Sequence, residues 1–384
     1  VLFDNQGLTS IFLTSVPHGK KGTESMRSVL LLTIALACTN VFASDPPVWN
    51  QPTSNISVGS AAYFDCQTPS TFTGTAAYMK LWVGGTAVAL NHNLNRLAAV
   101  IPMPAGTYSA VCQYSTDGLT GINSSTLSIT YGTGNERLNL ESSAWSQTSG
   151  CSGTCGGIAD AANSLDSNPS DTQSGSGSSR AFSGTKDASF SFEDEDWFQK
   201  RIENVALPSV WIYDFWVRQS NVPRGLEAGI SHCDSNHVKY RMAFQANYVA
   251  TPNPIWRYFT PNRTDPNGSG GSWTDTSIQV PQFTNPNTDP NNGFTHVYFV
   301  GHPSTDSSGA IVVIDAIQMG EGSGTTPGNA ATILNVQVPA YTQTTSNCTA
   351  STGQWNLQSA QIDLDGTHTT DTLWLDDVAV RFQP

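Results

Sequence analysis

Gly309-Ala-Ile-Val-Val-Ile-Asp-Ala-Ile-Gln318 and Asp371-Thr-Leu-Trp-Leu-Asp-Asp-Val-Ala-Val-Arg-Phe382 are the stretches on which the fold turns. Each is a short run dense in β-branched and aromatic residues, bounded by Gly, Ser, Thr and Asp turn signals, so each reads as a strand. Outward from them, turn clusters recur about every ten residues with almost no sustained 3.6-residue apolar periodicity, which predicts an all-β protein. The 384 residues, 38% hydrophobic and 12% charged, suffice for two domains with separate cores and exclude a disordered chain.

Near the start, a basic residue and an apolar run lead from Met26 to Val41-Phe-Ala43, the three parts of a secretory signal peptide. The competing reading, a short buried helix or anchor, is weakened because the run is short for a bilayer. Residues 1–25 are read as lying ahead of the mature protein and 26–43 as the signal, so both are set aside from the fold. An extracellular or cell-surface protein is expected, with no membrane insertion after signal cleavage. The net charge of −13 repels nucleic acid phosphates, so nucleic acid is not an expected partner. Six cysteines follow residue 43, an even number in an exported chain. The expected pairs are Cys66 with Cys112, Cys151 with Cys155, and Cys233 with Cys348. Cys151-Ser-Gly-Thr-Cys155 as half of a metal site is the alternative, but it lacks a second ligand pair.

Residues 46–131 open with Pro46-Pro47, close before Gly132-Thr-Gly134, and carry several short alternating segments. Among these are Ser60-Ala-Ala-Tyr-Phe-Asp-Cys66, Ala77-Tyr-Met-Lys-Leu-Trp-Val83 and Gly106-Thr-Tyr-Ser-Ala-Val-Cys-Gln-Tyr114. Cys66, Trp82 and Cys112 resemble the framework of an immunoglobulin-like sandwich, which implies that Trp82 packs on the disulfide. Tyr108 stands four residues before Cys112, where that family's corner tyrosine stands two before. No catalytic group is visible in this part, and a spacer or adhesive role is expected of it.

Residues 135–384 resemble a concanavalin A-like jelly roll. The resemblance rests on Ser174-Gly-Ser-Gly-Ser-Ser-Arg-Ala-Phe182, Ser209-Val-Trp-Ile-Tyr-Asp-Phe-Trp-Val-Arg218, Asn292-Gly-Phe-Thr-His-Val-Tyr-Phe-Val300 and Leu375-Asp-Asp-Val378, in the family's order. Ala316 follows Asp315 where the family has Gly. Period-two geometry then sorts the faces. Trp211, Tyr213, Phe215 and Val217 are assigned to the core, as are Val238, Tyr240, Met242 and Phe244. The opposite faces carry Asp214, Trp216, Arg218, Lys239, Arg241, His296 and Tyr298. With Trp256, these are the candidate ligand-binding residues. If their faces meet on one sheet, they form a cationic, aromatic groove suited to an anionic or neutral polysaccharide or glycan. The competing reading is an ordinary solvated sheet face.

A secreted polysaccharide lyase is the second expectation, because Ile230-Ser-His-Cys-Asp-Ser-Asn-His-Val-Lys-Tyr-Arg241 holds the residue types for a base beside a carboxylate-neutralising group. Its candidates are His232, His237, Tyr240 and Arg241. A glycoside hydrolase built on Glu193 and Glu195 fits less well, since four consecutive carboxylates lack the alternating apolar residues. A non-catalytic structural adhesin is the third. No organic cofactor is expected. The jelly-roll resemblance allows a structural calcium ion at Glu141 and Asp377, which serve equally well as an exposed carboxylate and a turn cap.

Overall fold

The computed structural model describes residues 45–132, 145–149, 165–166, 179–184, 196–202, 210–219, 225–234, 236–247, 254–265, 270–280, 295–320, 328–342, 354–363 and 371–384. Among the described residues the regular elements are strands, and no helix is long and apolar enough to cross a membrane. The fold is all-β, and both deciding stretches are strands, Gly309–Met319 and Asp371–Gln383. The junction expected after residue 131 runs into residues outside this set, as does the stretch before Asp45.

The first sandwich sets a three-stranded sheet (Val48–Gln51, Ala61–Gln67, Arg96–Pro102) against a larger one. In order, the larger sheet contains Ile56–Val58, Leu127–Tyr131, Gly106–Ser115, Tyr78–Val83 and Thr86–His92. Phe64 and Cys66 from one sheet meet Met79, Leu81, Val83 and Cys112 from the other. The Cys66–Cys112 disulfide closes between the sheets as expected.

Trp82 does not pack on it. Met79, Leu81 and Val83 take the inward positions of their strand, so Trp82 shares the outward face with Lys80, whose ammonium lies 5.2 Å from the indole centroid. The core tryptophan is Trp49, the ladder partner of Cys66, whose Nε1 donates to the Ser125 carbonyl at 3.0 Å.

The second sandwich also has two sheets. One runs Leu165–Asp166, Ser179–Gly184, Asp371–Gln383, Val210–Gln219, Thr295–Asp306, Gly309–Met319, Thr332–Pro339. The other runs Trp145–Ser149, Asp196–Ile202, Gln354–Asp363, Gly225–Cys233, Val238–Asn247, Ile255–Thr260, Ser272–Gln279. Between them lie Trp211, Tyr213, Phe215 and Val217, facing inward as alternation predicts, against Ile230, Met242 and Phe244. Phe244 stacks on Phe299 at 4.1 Å and 10°, and Trp256 meets the same ring edge-on at 5.2 Å and 86°. Trp256 is fully buried here. It is a core residue, which corrects its placement in a groove.

Asp45–Pro384 forms one compact unit because the sandwiches share a buried seam. Ala61, Tyr63, Ala98 and Val100, facing out of the three-stranded sheet, pack on Val210, Ile212, Tyr298, Val300 and Ala316, facing out of the Val210–Gln219 sheet. Two glutamines clasp this seam. Gln383 accepts from Tyr63 N at 2.8 Å and donates to Tyr63 O at 3.1 Å. Gln318 does the same for Val100, at 2.8 and 3.1 Å. Tyr63 and Val100 face each other in their ladder, so their outward amides at both sides of the strand pair are satisfied from the second sandwich. A strap adds to this: Gly328–Asn329 pairs parallel with Ala89 and Leu90, and Ala331 N donates to Ala98 O at 2.7 Å.

Candidate functional site

The residues singled out by sequence fall on two different sheets. Asp214, Trp216, His296 and Tyr298 lie on the sheet that carries the seam, whereas Lys239 and Arg241 lie on the other. They do not form one groove. Moreover, the first set is buried, with Asp214 and Tyr298 each 1% exposed and Trp216 and His296 each 5%. Tyr298 packs in the seam, His296 stacks between Tyr298 at 4.0 Å and Trp216 at 4.4 Å, and the groove assignment of all four is corrected accordingly.

Asp214 is the centre of a buried charge cluster. His296 Nε2 lies 2.6 Å from Oδ2, and Arg381 Nη1 donates to Oδ1. Arg381 also donates through Nε to Ser60 Oγ at 3.0 Å, so the cluster reaches across the seam. A second polar pair lies on the same sheet, His302 Nδ1 to Asp315 Oδ2 at 2.8 Å, where burial raises the Asp315 carboxyl and the imidazole pulls it back. With Asp214, His296 and Arg381 enclosed, that cluster fixes the seam and presents nothing to a large ligand.

The lyase candidates are likewise separated. His232 pairs with Tyr240 across the ladder, with rings 6.3 Å apart, and Tyr240 packs against the core. Burial pushes the His232 imidazole down to about 4. His237 sits in the turn at φ 61°, and Arg241, one residue on from Tyr240, points to the opposite face. His232 and Tyr240 thus stand on the face of the sheet away from Arg241. The side chains of Arg218 and Asp377 lie outside the described residues, as do Glu141, Glu193, Glu195, Cys151, Cys155 and Cys348. Cys233 is disulfide-bonded. Among the described residues, no group of three or more His, Cys, Asp or Glu is placed to hold a metal ion.

The outward face of the Val238–Asn247 sheet is different. Ladder partners share a face, which places Glu227, Gln245, Arg257 and Asp275 in one row across the strands. Ser231 and Arg241 form a parallel row, with Lys239 beyond it. Between the rows lie Gly229 and Ala243, directly paired; a Cβ at Gly229 would come within 3.1 Å of the Ala243 Cβ. Small residues therefore make a low floor between longer polar side chains. Gln245 Nε2 donates to Glu227 Oε1 at the buried end of that floor.

Phe259 and Trp273, paired in the next ladder, tilt together at 5.2 Å. Arg241 lies over Phe259 at 4.8 Å and Arg257 over Trp273 at 5.4 Å. Arg241 also hydrogen-bonds the buried Tyr341 phenol. Lys239, Arg241 and Arg257 have no carboxylate at ion-pair distance among the described residues. Burial, reinforced by Arg241, brings the Lys239 ammonium down to about 8. Three cations and two rings thus stand together on a sheet face of an acidic chain. Sequence reading found Lys239 and Arg241 but not Arg257, Phe259 or Trp273. The alternation of Arg257 and Phe259 about Tyr258 was the available signal.

No protein-family model matches the chain, and no curated protein matches it. A solved structure from work on the structural basis for the promiscuous specificity of carbohydrate-binding modules of the β-sandwich superfamily aligns at a TM-score of 0.27 and 8% identity. The alignment covers 88% of this chain and 98% of that one. A likeness at that level carries no functional conclusion.

Proposed function

We propose that this is an exported carbohydrate-binding protein, extracellular or at the cell surface, that holds a polysaccharide or glycan on the outward face of the Val238–Asn247 sheet. The reading joins a concanavalin A-like second sandwich to an immunoglobulin-like first one, as the motifs of residues 46–131 and 135–384 suggest. The observation that carries it is the row of Arg241, Phe259, Trp273 and Arg257 beside the Gly229–Ala243 floor. A half-buried Trp273 ring backed by the buried Phe259, with fixed polar groups around a shallow strip, is what an extended sugar chain needs: apolar surface for its C–H faces and oriented donors for its hydroxyls. Binding without turnover is favoured over lysis, since His232 and Tyr240 lie on the far side of the sheet from Arg241.

A glycan array probed with the purified protein tests this. Binding is expected to fall at least about tenfold in Trp273→Ala and Arg257→Ala, the loss of one well-placed stacking or charged contact, and to persist in Trp82→Ala. Loss in Trp82→Ala alone would move the site to the first sandwich, and silence across a broad array would remove the glycan reading.

A further inference from the structure

The same face carries information about the charge of what it holds. Resting on the glycan-binding reading above, we infer that the ligand is an anionic polysaccharide, recognised through carboxylate or sulfate groups by Lys239, Arg241 and Arg257 rather than through its neutral hydroxyls alone.

Three observations support this. First, the guanidinium groups occupy ring faces: Arg241 over Phe259 and Arg257 over Trp273. A stacked guanidinium directs its N–H edge within its own plane, and the part of that edge not spent on Tyr341 by Arg241 matches an oxyanion. The rings thereby hold the donors in place, and less side-chain freedom is lost on binding.

Second, the chain's 30 acidic residues against 17 Lys and Arg make an unpaired cation the exception. Elsewhere the described arginines are matched: Arg96 with Asp65, Arg263 with Asp306, Arg381 with Asp214. On this face three cations share a surface, and among the described residues none is within ion-pair distance of a carboxylate, although Glu227 and Asp275 stand in the row of Arg257.

Third, Lys239 and Arg241 stand two residues apart on one side of a strand, and after burial it is Arg241 that makes the Lys239 charge costlier. An oxyanion between them would relieve that repulsion. The pair stands at one end of the Phe259–Trp273 platform and Arg257 at the other, so a chain laid along it would meet positive charge twice.

The test is binding of the unmodified protein, by affinity electrophoresis and titration calorimetry, to polygalacturonate, dextran sulfate and neutral dextran at low and high salt. Both anionic polymers or either one should bind, with affinity falling as salt screens the contact, and neutral dextran should bind at least about tenfold more weakly, the loss of one charge-assisted contact. Arg241→Gln and Arg257→Gln should each cost about tenfold or more. Arg241→Lys and Arg257→Lys should retain part of the binding, because charge survives while the fork is lost. The retained Cys66–Cys112 disulfide and an unchanged melting curve identify folded variants. Binding should weaken as pH rises above about 8, where Lys239 loses its proton. Equal, salt-independent binding of neutral and anionic polymers would overturn this inference and leave glycan binding standing. Failure of every polymer, and of the array, would overturn both.

Discussion

Replacing Gln318 or Gln383 with Leu should strongly destabilise the protein, although neither touches a ligand and Leu nearly preserves the bulk. Both glutamines are buried, at 3% and 1% exposure, and each spends its carboxamide on the N–H and C=O of one backbone residue. In each variant, one donor and one acceptor of a seam strand lose their partner while remaining enclosed. An orphaned buried polar group costs about 1–3 kcal/mol, so each variant should lose about 2–6 kcal/mol. The double variant should lose less than the sum, because Tyr63 and Val100 are directly paired and share one local rearrangement. Urea denaturation is the measurement, read as a lower midpoint at an unchanged slope. Gln279→Leu, at an exposed strand position, is the control and should stay within about 0.5 kcal/mol. If Gln318→Leu and Gln383→Leu behave like that control, water reaches the seam amides and the clasp contributes nothing.

Arg381→Met should cost about 3–5 kcal/mol by stranding the buried Asp214 carboxylate beside His296; thermal melts should show much of the loss recovered in Arg381→Met/Asp214→Leu. Trp49→Ala should cost about 3–5 kcal/mol as a core truncation. Trp82→Ala should cost under half as much, the two being compared by chemical denaturation. The His232 imidazole is held down to about 4 in the folded state, below its ordinary 6.5, so the unfolded chain binds more protons between those values. Stability present above pH 6.5 should therefore be lost as pH falls toward 4, and His232→Gln should flatten that part of the profile. A profile identical to wild type would place the acid sensitivity elsewhere.

Inward faces were legible because alternation is local. Trp211, Tyr213, Phe215 and Val217 face the core as their spacing requires, and Cys66 pairs with Cys112. Which sheet an outward face belongs to is a long-range matter. Val210–Gln219 pairs with Thr295–Asp306 and Asp371–Gln383, while Val238–Asn247 pairs with Gly225–Cys233 and Ile255–Thr260, and no spacing within a strand encodes that choice. The polar faces merged in the sequence reading therefore separate into one closed seam and one open face. Trp82 is a different case. Lys80 at the same parity already indicated an outward face, and the Cys-Trp-Cys resemblance overrode it. Gln318 and Gln383 had no readable signal, since a buried glutamine looks like an exposed one until its backbone partner is known.

The clasp and strap also set a timetable for folding during synthesis. Val100 waits for Gln318, 218 residues later, and Tyr63 waits for Gln383, 320 residues later. At ordinary elongation rates of about 5–20 residues per second, the first sandwich emerges roughly 10–60 s before its outer amides can be capped. During that interval, Arg96–Pro102 and residues 61–64 of the neighbouring strand present open strand edges, the condition under which sheets recruit the wrong neighbour. The N-terminal part of this chain is therefore made first and finished last, and its need for protection is greatest before the C-terminus has been translated.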